Sequence, residues 1–198
     1  MSTQPRGLPV LAVLSALPLW PQPLGVRLEA NQLRVSAPQL GVLSGLPLER
    51  LRNGAPVPFA FKLTLSTDRH ATTLLRDLKR FVFSYDLWEE KFSVVKLGHP
   101  RRSASHMATT AAEAWCVDDM ALATAGLAQD RPFWARLEVR LENLREEAAE
   151  EESGVSLTRL IELFGRRAET RRSSWLFEAG PLRLADLNNS PARAPGPR

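Results

Sequence analysis

The sequence contains three histidines, His70, His99 and His106, and imidazole is the commonest protein ligand for transition metals. No two of them stand four residues apart, as a pair on one helix face would, and none has a cysteine at ligand spacing. The pattern is typical of exposed loop histidines. It predicts no metal site and no cofactor.

Nucleophilic catalysis has few candidates in this chain. Asp68 with His70, or Ser105 with His106, are the pairs from which a hydrolase triad would be built, but no Gly-x-Ser-x-Gly motif accompanies them. The single cysteine, Cys116, lies in an alanine-rich segment and is expected to be a small buried hydrophobe. The glycines are scattered, without a phosphate-binding loop. We therefore predict that the protein is not an enzyme.

Tryptophans and paired arginines are the residues expected to contact a partner, because exposed tryptophan and arginine are enriched in interfaces. Strand alternation places Trp134 on a solvent-facing side, and Trp88 falls in a chain reversal. A second layer covering these tryptophans remains the alternative. An acidic run at 146–152 balances the arginine pairs, so a solvated face is favoured over nucleic-acid binding. The predicted partner surface comprises Trp88, Trp134, Trp175, Arg166, Arg167, Arg171 and Arg172.

Alternating apolar and polar residues predict strands through the middle of the chain. The clearest are residues 56–67, 79–87 and 133–142, each with one aromatic or aliphatic face. A reversal at 88–90 leads into 91–97 and predicts an antiparallel hairpin. The face expected to point into the core carries Val57, Phe59, Phe61, Leu63, Leu65, Phe81, Phe83, Tyr85 and Leu87.

Further strands and a few helices complete the prediction. Residues 26–37 are strand-like with a break at Asn31, and 174–184 indicate a last edge strand. Ser105 is expected to cap a helix over 106–117 whose apolar face carries Ala108, Ala111, Ala114 and Trp115. Two other helices are predicted, a short one over 46–53 before a glycine and an amphipathic one over 157–164.

These elements predict a mainly β fold, an antiparallel β-sandwich of about seven strands with one or two short helices packed on it. At 198 residues with 44% hydrophobic and 24% charged residues, the chain suits a single domain. That domain is expected over 25–187, with a helical insertion at about 143–168. Residues 188–198 are expected to be a disordered tail.

An uncharged apolar run at residues 8–19 follows one basic residue, Arg6. Its length fits a signal peptide or loose anchor over 1–24 and is too short to span a membrane. The alternative is a proline-rich cytoplasmic leader. No cysteine lies near residue 20, which excludes a bacterial lipoprotein.

Several segments together resemble an uncharacterised bacterial family of unknown function, whose members are small exported β-rich proteins. The segments are LRVSAP (33–38), ERLRNG (49–54), PFAFKLTL (58–65), RFVFSYDLWEEKFSV (80–94), AEAWC (112–116), RPFWARLEVR (131–140) and EAGPLRLADL (178–187). Some family members are encoded beside a nitrogen-regulation-type sensor histidine kinase and its response regulator. The resemblance implies a periplasmic or membrane-associated β-rich module and supplies no catalytic residue.

The expected function is that of a non-enzymatic envelope protein that binds another protein. The most specific candidate for that partner is a sensor histidine kinase. Membrane association through the leader and a periplasmic or exported location are expected with it, and nucleic acid is not an expected partner. One alternative is a carrier in which Phe59, Phe61, Phe81 and Phe83 line a cavity for a small apolar ligand. Less favoured is a hydrolase with an unrecognised site.

Overall fold

The computed structural model describes residues 22–37, 39–67, 72–142 and 174–189. These ranges contain ten strands and three helices. The strands are β1 (Gln22–Pro23), β2 (Gly25–Glu29), β3 (Gln32–Ser36), β4 (Val57–Ser66), β5 (Thr73–Asp86), β6 (Lys91–Lys96), β7 (Arg102–Met107), β8 (Ala121–Ala123), β9 (Phe133–Leu141) and β10 (Ser174–Leu182). The helices are α1 (Leu46–Arg52), α2 (Thr109–Asp119) and α3 (Leu184–Asn189).

The strands form two sheets. The larger has seven strands in the order β1-β10-β9-β4-β5-β6-β7, and the smaller has the order β2-β3-β8. All pairings are antiparallel except that of the two-residue β1 with β10. One hydrophobic cluster includes residues from both sheets. The predicted fold class, mainly β with antiparallel sheets and short helices, is confirmed.

The core is built on β4, which lies between β5 and β9 in the larger sheet. Its odd-numbered side chains are 0–1% exposed, as the alternation predicts. The ring of Phe59 meets that of Phe83 edge to face at 5.4 Å, and Phe61 meets Phe81 at 5.1 Å. Because these four rings contact each other and are fully buried, the arrangement favours a solid core over a ligand cavity.

The hairpin β2–β3 accounts for the break expected at Asn31. Ala30 and Asn31 form the two-residue turn, with φ of 46° and 61°. Two consecutive positive φ values are those of a type I′ turn, whose twist matches that of the flanking strands. The backbone carbonyl of Asn31 accepts hydrogen bonds from both the N–H and the hydroxyl of Thr124, which joins the turn to the end of β8.

The predicted helix over 106–117 is wrong at its start. Ser105 does not cap it but lies in β7, and α2 begins at Thr109 after an extended Ala108. The pairing of β7 with β6 places residues 102–107 in the sheet instead. The predicted apolar face is also wrong for its three alanines, which are exposed, whereas Ala112, Glu113, Cys116 and Val117 are buried. Trp115 of that face is half-buried and packs against Phe81 in the core. An alanine-rich helix carries little amphipathic contrast, so its sequence does not determine which face is buried.

Three boundaries differ from the prediction. Leu87 lies in the turn after β5 with 57% of its surface exposed, so it is not a core residue. Asn188 and Asn189, expected in the disordered tail, belong to α3. Gln22 and Pro23, expected in the leader, pair with β10. Most of the leader, the insertion with its helix at 157–164, and the tail from residue 190 lie outside the described residues.

Candidate protein-interaction surface

The reversal between β5 and β6 is a tight turn over residues 87–90, which we call the tip. The carboxylate of Asp86 accepts hydrogen bonds from the backbone N–H groups of Glu89 at 3.1 Å and Trp88 at 2.8 Å. Because both bonds favour the ionised form, they hold the pKa of Asp86 below its ordinary value. An ionised aspartate thus orders the backbone of the tip.

The tip presents a large apolar surface to solvent. Trp88 is 96% exposed, and the adjacent Leu87 is 57% exposed. Beneath the tip, the rings of Tyr85 and Phe92 contact each other across the hairpin with centroids 4.8 Å apart. The exposed indole therefore stands on an ordered turn anchored to a packed aromatic pair.

The charges around Trp88 are mostly acidic. Asp86, Glu89 and Glu90 flank it, with Lys91 following at the start of β6. The ring of His106 in β7 lies against the Glu89 carboxylate, within ion-pair distance. An apolar residue in an acidic setting is complementary to an apolar pocket rimmed by basic groups.

The other two predicted tryptophans lie elsewhere. Trp175 in β10 is half-buried on the core face, where its ring centroid is 6.0 Å from that of Phe59. Trp134 in β9 is half-buried on the opposite face and covers Gly180, where an added Cβ would lie 2.5 Å from the indole. The structure therefore does not bring Trp88, Trp134 and Trp175 together, and Trp88 alone of the three is fully exposed.

Several sequence candidates lie outside the described residues. They are the four arginines of the predicted surface, Arg166, Arg167, Arg171 and Arg172, together with the Asp68 and His70 pair.

The remaining reactive side chains are dispersed. His99 is exposed in the connection after β6, whereas Cys116 is fully buried in α2. Burial, reinforced by the charges of Asp119 and Glu113, raises the pKa of the Cys116 thiol. In the part of the chain that the structure describes, no three His, Cys, Asp or Glu side chains are grouped so as to hold a metal ion.

A cluster of charges at the end of α2 was missed by the sequence analysis. The carboxylate of Asp119 lies 3.1 Å from the Lys79 ammonium, 3.2 Å from that of Lys96 and 2.7 Å from the Arg102 guanidinium. The Asp119 and Lys96 side chains are only 7% and 9% exposed. The cluster could have been predicted from strand alternation, because Lys79 shares the core-facing side of β5 with Phe81 and Phe83.

Within the described ranges, no helix combines the length and the apolar character needed to cross a membrane. Comparisons with family models, curated proteins and solved structures find no significant match to this chain.

Proposed function

We propose that this protein is a non-enzymatic protein-interaction module of the bacterial envelope, and that the tip is its principal contact. The single observation that carries the proposal is the 96% exposure of Trp88 on a turn ordered by Asp86. Tryptophan is the residue type most enriched at the energetic centres of interfaces. An ordered turn adds affinity because little conformational entropy is lost on binding.

The acidic setting of the tip defines the partner. Three carboxylates and one lysine lie within residues 86–91, so the local charge is negative. A bilayer surface rich in anionic lipid would repel it, although tryptophan favours membrane interfaces. The partner is therefore a protein with an apolar pocket rimmed by lysine or arginine. From the family resemblance, a sensor histidine kinase is the proposed partner, and the periplasm is the proposed location.

The test uses the purified periplasmic domain of the sensor kinase encoded nearest this gene. Calorimetric titration should show saturable binding that Trp88→Ala weakens at least about tenfold, as expected for a central tryptophan anchor. Leu46→Ala is the matched control, because Leu46 is also exposed, at 51%, but lies at the start of α1. Equal affinities of the wild type and Trp88→Ala would show that the tip is not the contact.

Two further measurements address the partner class and the compartment. Co-sedimentation with anionic phosphatidylglycerol vesicles should leave the protein in the supernatant, and pelleting that depends on Trp88 would identify a membrane contact instead. Cell fractionation should recover the protein with the envelope or periplasm. Full-length, uncleaved protein found only in the cytosol would overturn the envelope assignment.

A further inference from the structure

The long strand β5 extends beyond its neighbour β6. On one side it pairs with β4 from Thr73 to Phe83, whereas on the other it pairs with β6 only from Phe81 to Asp86. Residues 73–79 of β5 therefore have a strand on one side only among the described residues. We call this seven-residue stretch the open edge, and it is about 23 Å long at the usual rise of a strand.

Alternate backbone groups of the open edge point away from β4. The carbonyl of Arg80 accepts a hydrogen bond at 2.8 Å from the N–H of Leu97, just beyond β6, so the polar groups of Arg80 point towards β6. In a strand, these groups alternate sides with a period of two. Those of Leu78 and Arg76 therefore point out of the open edge, where no described strand accompanies them.

The open edge leads into a cleft of about 550 Å³ where β6 ends. Residues 77–80 form one wall, and residues 96–99 form the other. The chain turns out of the sheet here through Gly98, whose φ is 85°. The cleft thus lies in line with β6, in the position that a further strand beside β5 would occupy.

The charges beside the cleft are predominantly positive. Lys79 and Lys96 line the cleft, and together with the nearby Arg102 they form ion pairs with the carboxylates of Asp77 and Asp119. On the outer side of β5, Arg76 is exposed and has no ion-pair partner among the described residues. Two residues away on the same face, Leu78 is 52% exposed. A strand laid here would meet a cation and an apolar side chain on one face.

The edge strand β7, on the same side of the larger sheet as the open edge, is protected against strand addition. The edge strand β7 has an extra residue, because Phe92 pairs with Met107 whereas Val94 pairs with Ala104. His106 within this bulge has a φ of 57°. Such bulges interrupt the regular ladder that an incoming strand needs. The open edge has one bulge in its pairing with β4, at Leu74, and its register is regular from Leu75 to Lys79.

We infer that the open edge of β5 binds an extended acidic peptide segment of a protein partner by strand addition. Backbone hydrogen bonds to Leu78 and Arg76 provide affinity for any extended segment. Selectivity comes from the facing pairs: an apolar residue opposite Leu78, and an acidic residue two positions away opposite Arg76. The site is distinct from the tip, since Asp86 lies eight residue steps after Leu78 along β5, or about 26 Å away.

The probe is a fluorescent, end-capped peptide of sequence TVTETVT, whose valines and glutamate share one face when extended. Fluorescence anisotropy with the full chain should show saturable binding. Replacing the glutamate by lysine should weaken binding about fivefold, the upper end of a facing charge pair. Methylating alternate backbone nitrogens of the peptide should weaken it at least about tenfold, because the ladder bonds are lost.

The decisive variant is Leu78→Pro, which removes an N–H that points out of the edge without removing a bond to β4. It should weaken probe binding at least about tenfold, with native near-ultraviolet circular dichroism. Arg76→Glu is a second, independent variant and should reverse the preference between the glutamate and lysine probes. Trp88→Ala should bind the probe as the wild type does, which separates this site from the tip.

Three outcomes would overturn the inference. They are the absence of saturable binding up to about 1 mM probe, which corresponds to negligible affinity; equal binding of the N-methylated and unmodified peptides; and a wild-type dimer that Leu78→Pro converts to a monomer in sedimentation. The last result would mean that a second copy of the chain occupies the edge.

Discussion

The carboxylate of Glu113 in α2 accepts a hydrogen bond at 2.9 Å from the backbone N–H of Leu43, 70 residues earlier in the chain. Its other oxygen accepts one at 3.2 Å from the N–H of Gly41. Glu113 is 5% exposed, so its carboxylate is a buried connector between α2 and the loop before α1. These two N–H groups of the loop have no acceptor within a regular backbone ladder, and the Glu113 carboxylate satisfies both of them.

We expect Glu113→Ala to lower the free energy of unfolding by about 2–3 kcal/mol, because two N–H groups lose their acceptors. Glu113→Gln retains an acceptor oxygen and should cost less, about 1 kcal/mol. Urea unfolding followed by circular dichroism measures both. The exposed Glu49→Ala is the control and should stay within about 0.5 kcal/mol of the wild type. An alanine variant as stable as this control would refute the connector role.

The second prediction concerns the ion cluster at Asp119. Burial opposes ionisation of Asp119, but the ammonium groups of Lys79 and Lys96 outweigh it, so the pKa of Asp119 lies below its ordinary value of 3.8. Asp119→Asn leaves the 9%-exposed Lys96 ammonium without its counter-ion. We expect a loss of about 3 kcal/mol at pH 7.

The pH dependence of this loss follows from the sign of the pKa shift. A carboxylate with a lowered folded-state pKa contributes stability that is complete above its ordinary pKa and is lost as the pH falls through the folded-state value. The stability difference between wild type and Asp119→Asn should therefore be constant at neutral pH and shrink below about pH 4. Asp118→Asn, with a 61%-exposed side chain, is the neighbouring control and should change the stability by no more than about 0.5 kcal/mol at pH 7. A difference that grows on acidification would contradict the prediction.

The third prediction concerns the contact of Gly180 with Trp134. A Cβ at position 180 would lie 2.5 Å from Cδ1 of the indole, and φ there is 149°, a value that favours glycine. Gly180→Ala should therefore lower the free energy of unfolding by about 2 kcal/mol or more. In the double variant with Trp134→Ala, the loss of stability caused by the steric clash should be relieved. The loss caused by the backbone conformation at position 180 should remain. Strictly additive single effects in this double-mutant cycle would show that the two residues are not coupled.

The fourth prediction is a gain of stability in the β2–β3 turn. Ala30 has a φ of 46°, a conformation that costs about 1 kcal/mol for a residue with a Cβ. Ala30→Gly should raise the free energy of unfolding by up to about 1 kcal/mol, measured as a higher urea midpoint. Ala123→Gly at the end of β8 is the control and should be destabilising, because glycine loses more conformational freedom on folding than alanine does. A lower midpoint for Ala30→Gly would contradict this interpretation of the turn.

Part of the candidate surface could be predicted from the sequence. The alternation of Phe81 and Phe83 with polar residues places the reversal near Trp88, so its exposure follows from local pattern alone. The burial of Trp134 and Trp175 could not be predicted in this way. Both are half-buried because of residues distant in sequence, Gly180 beneath the first and Phe59 beside the second.

Local sequence pattern predicts the β-rich fold class, the hairpin from β5 to β6 and the core face of β4, because these depend on a period of two within single segments. Packing in the folded protein determines that residues 102–107 join the sheet, that Glu113 faces inward, and that β5 extends beyond β6 to leave an open edge. Each depends on what packs beside the segment, and neither an alanine-rich helix nor the length of a strand carries a signal of its neighbour. The open edge and the ion cluster beside it are therefore properties of the assembled sheet.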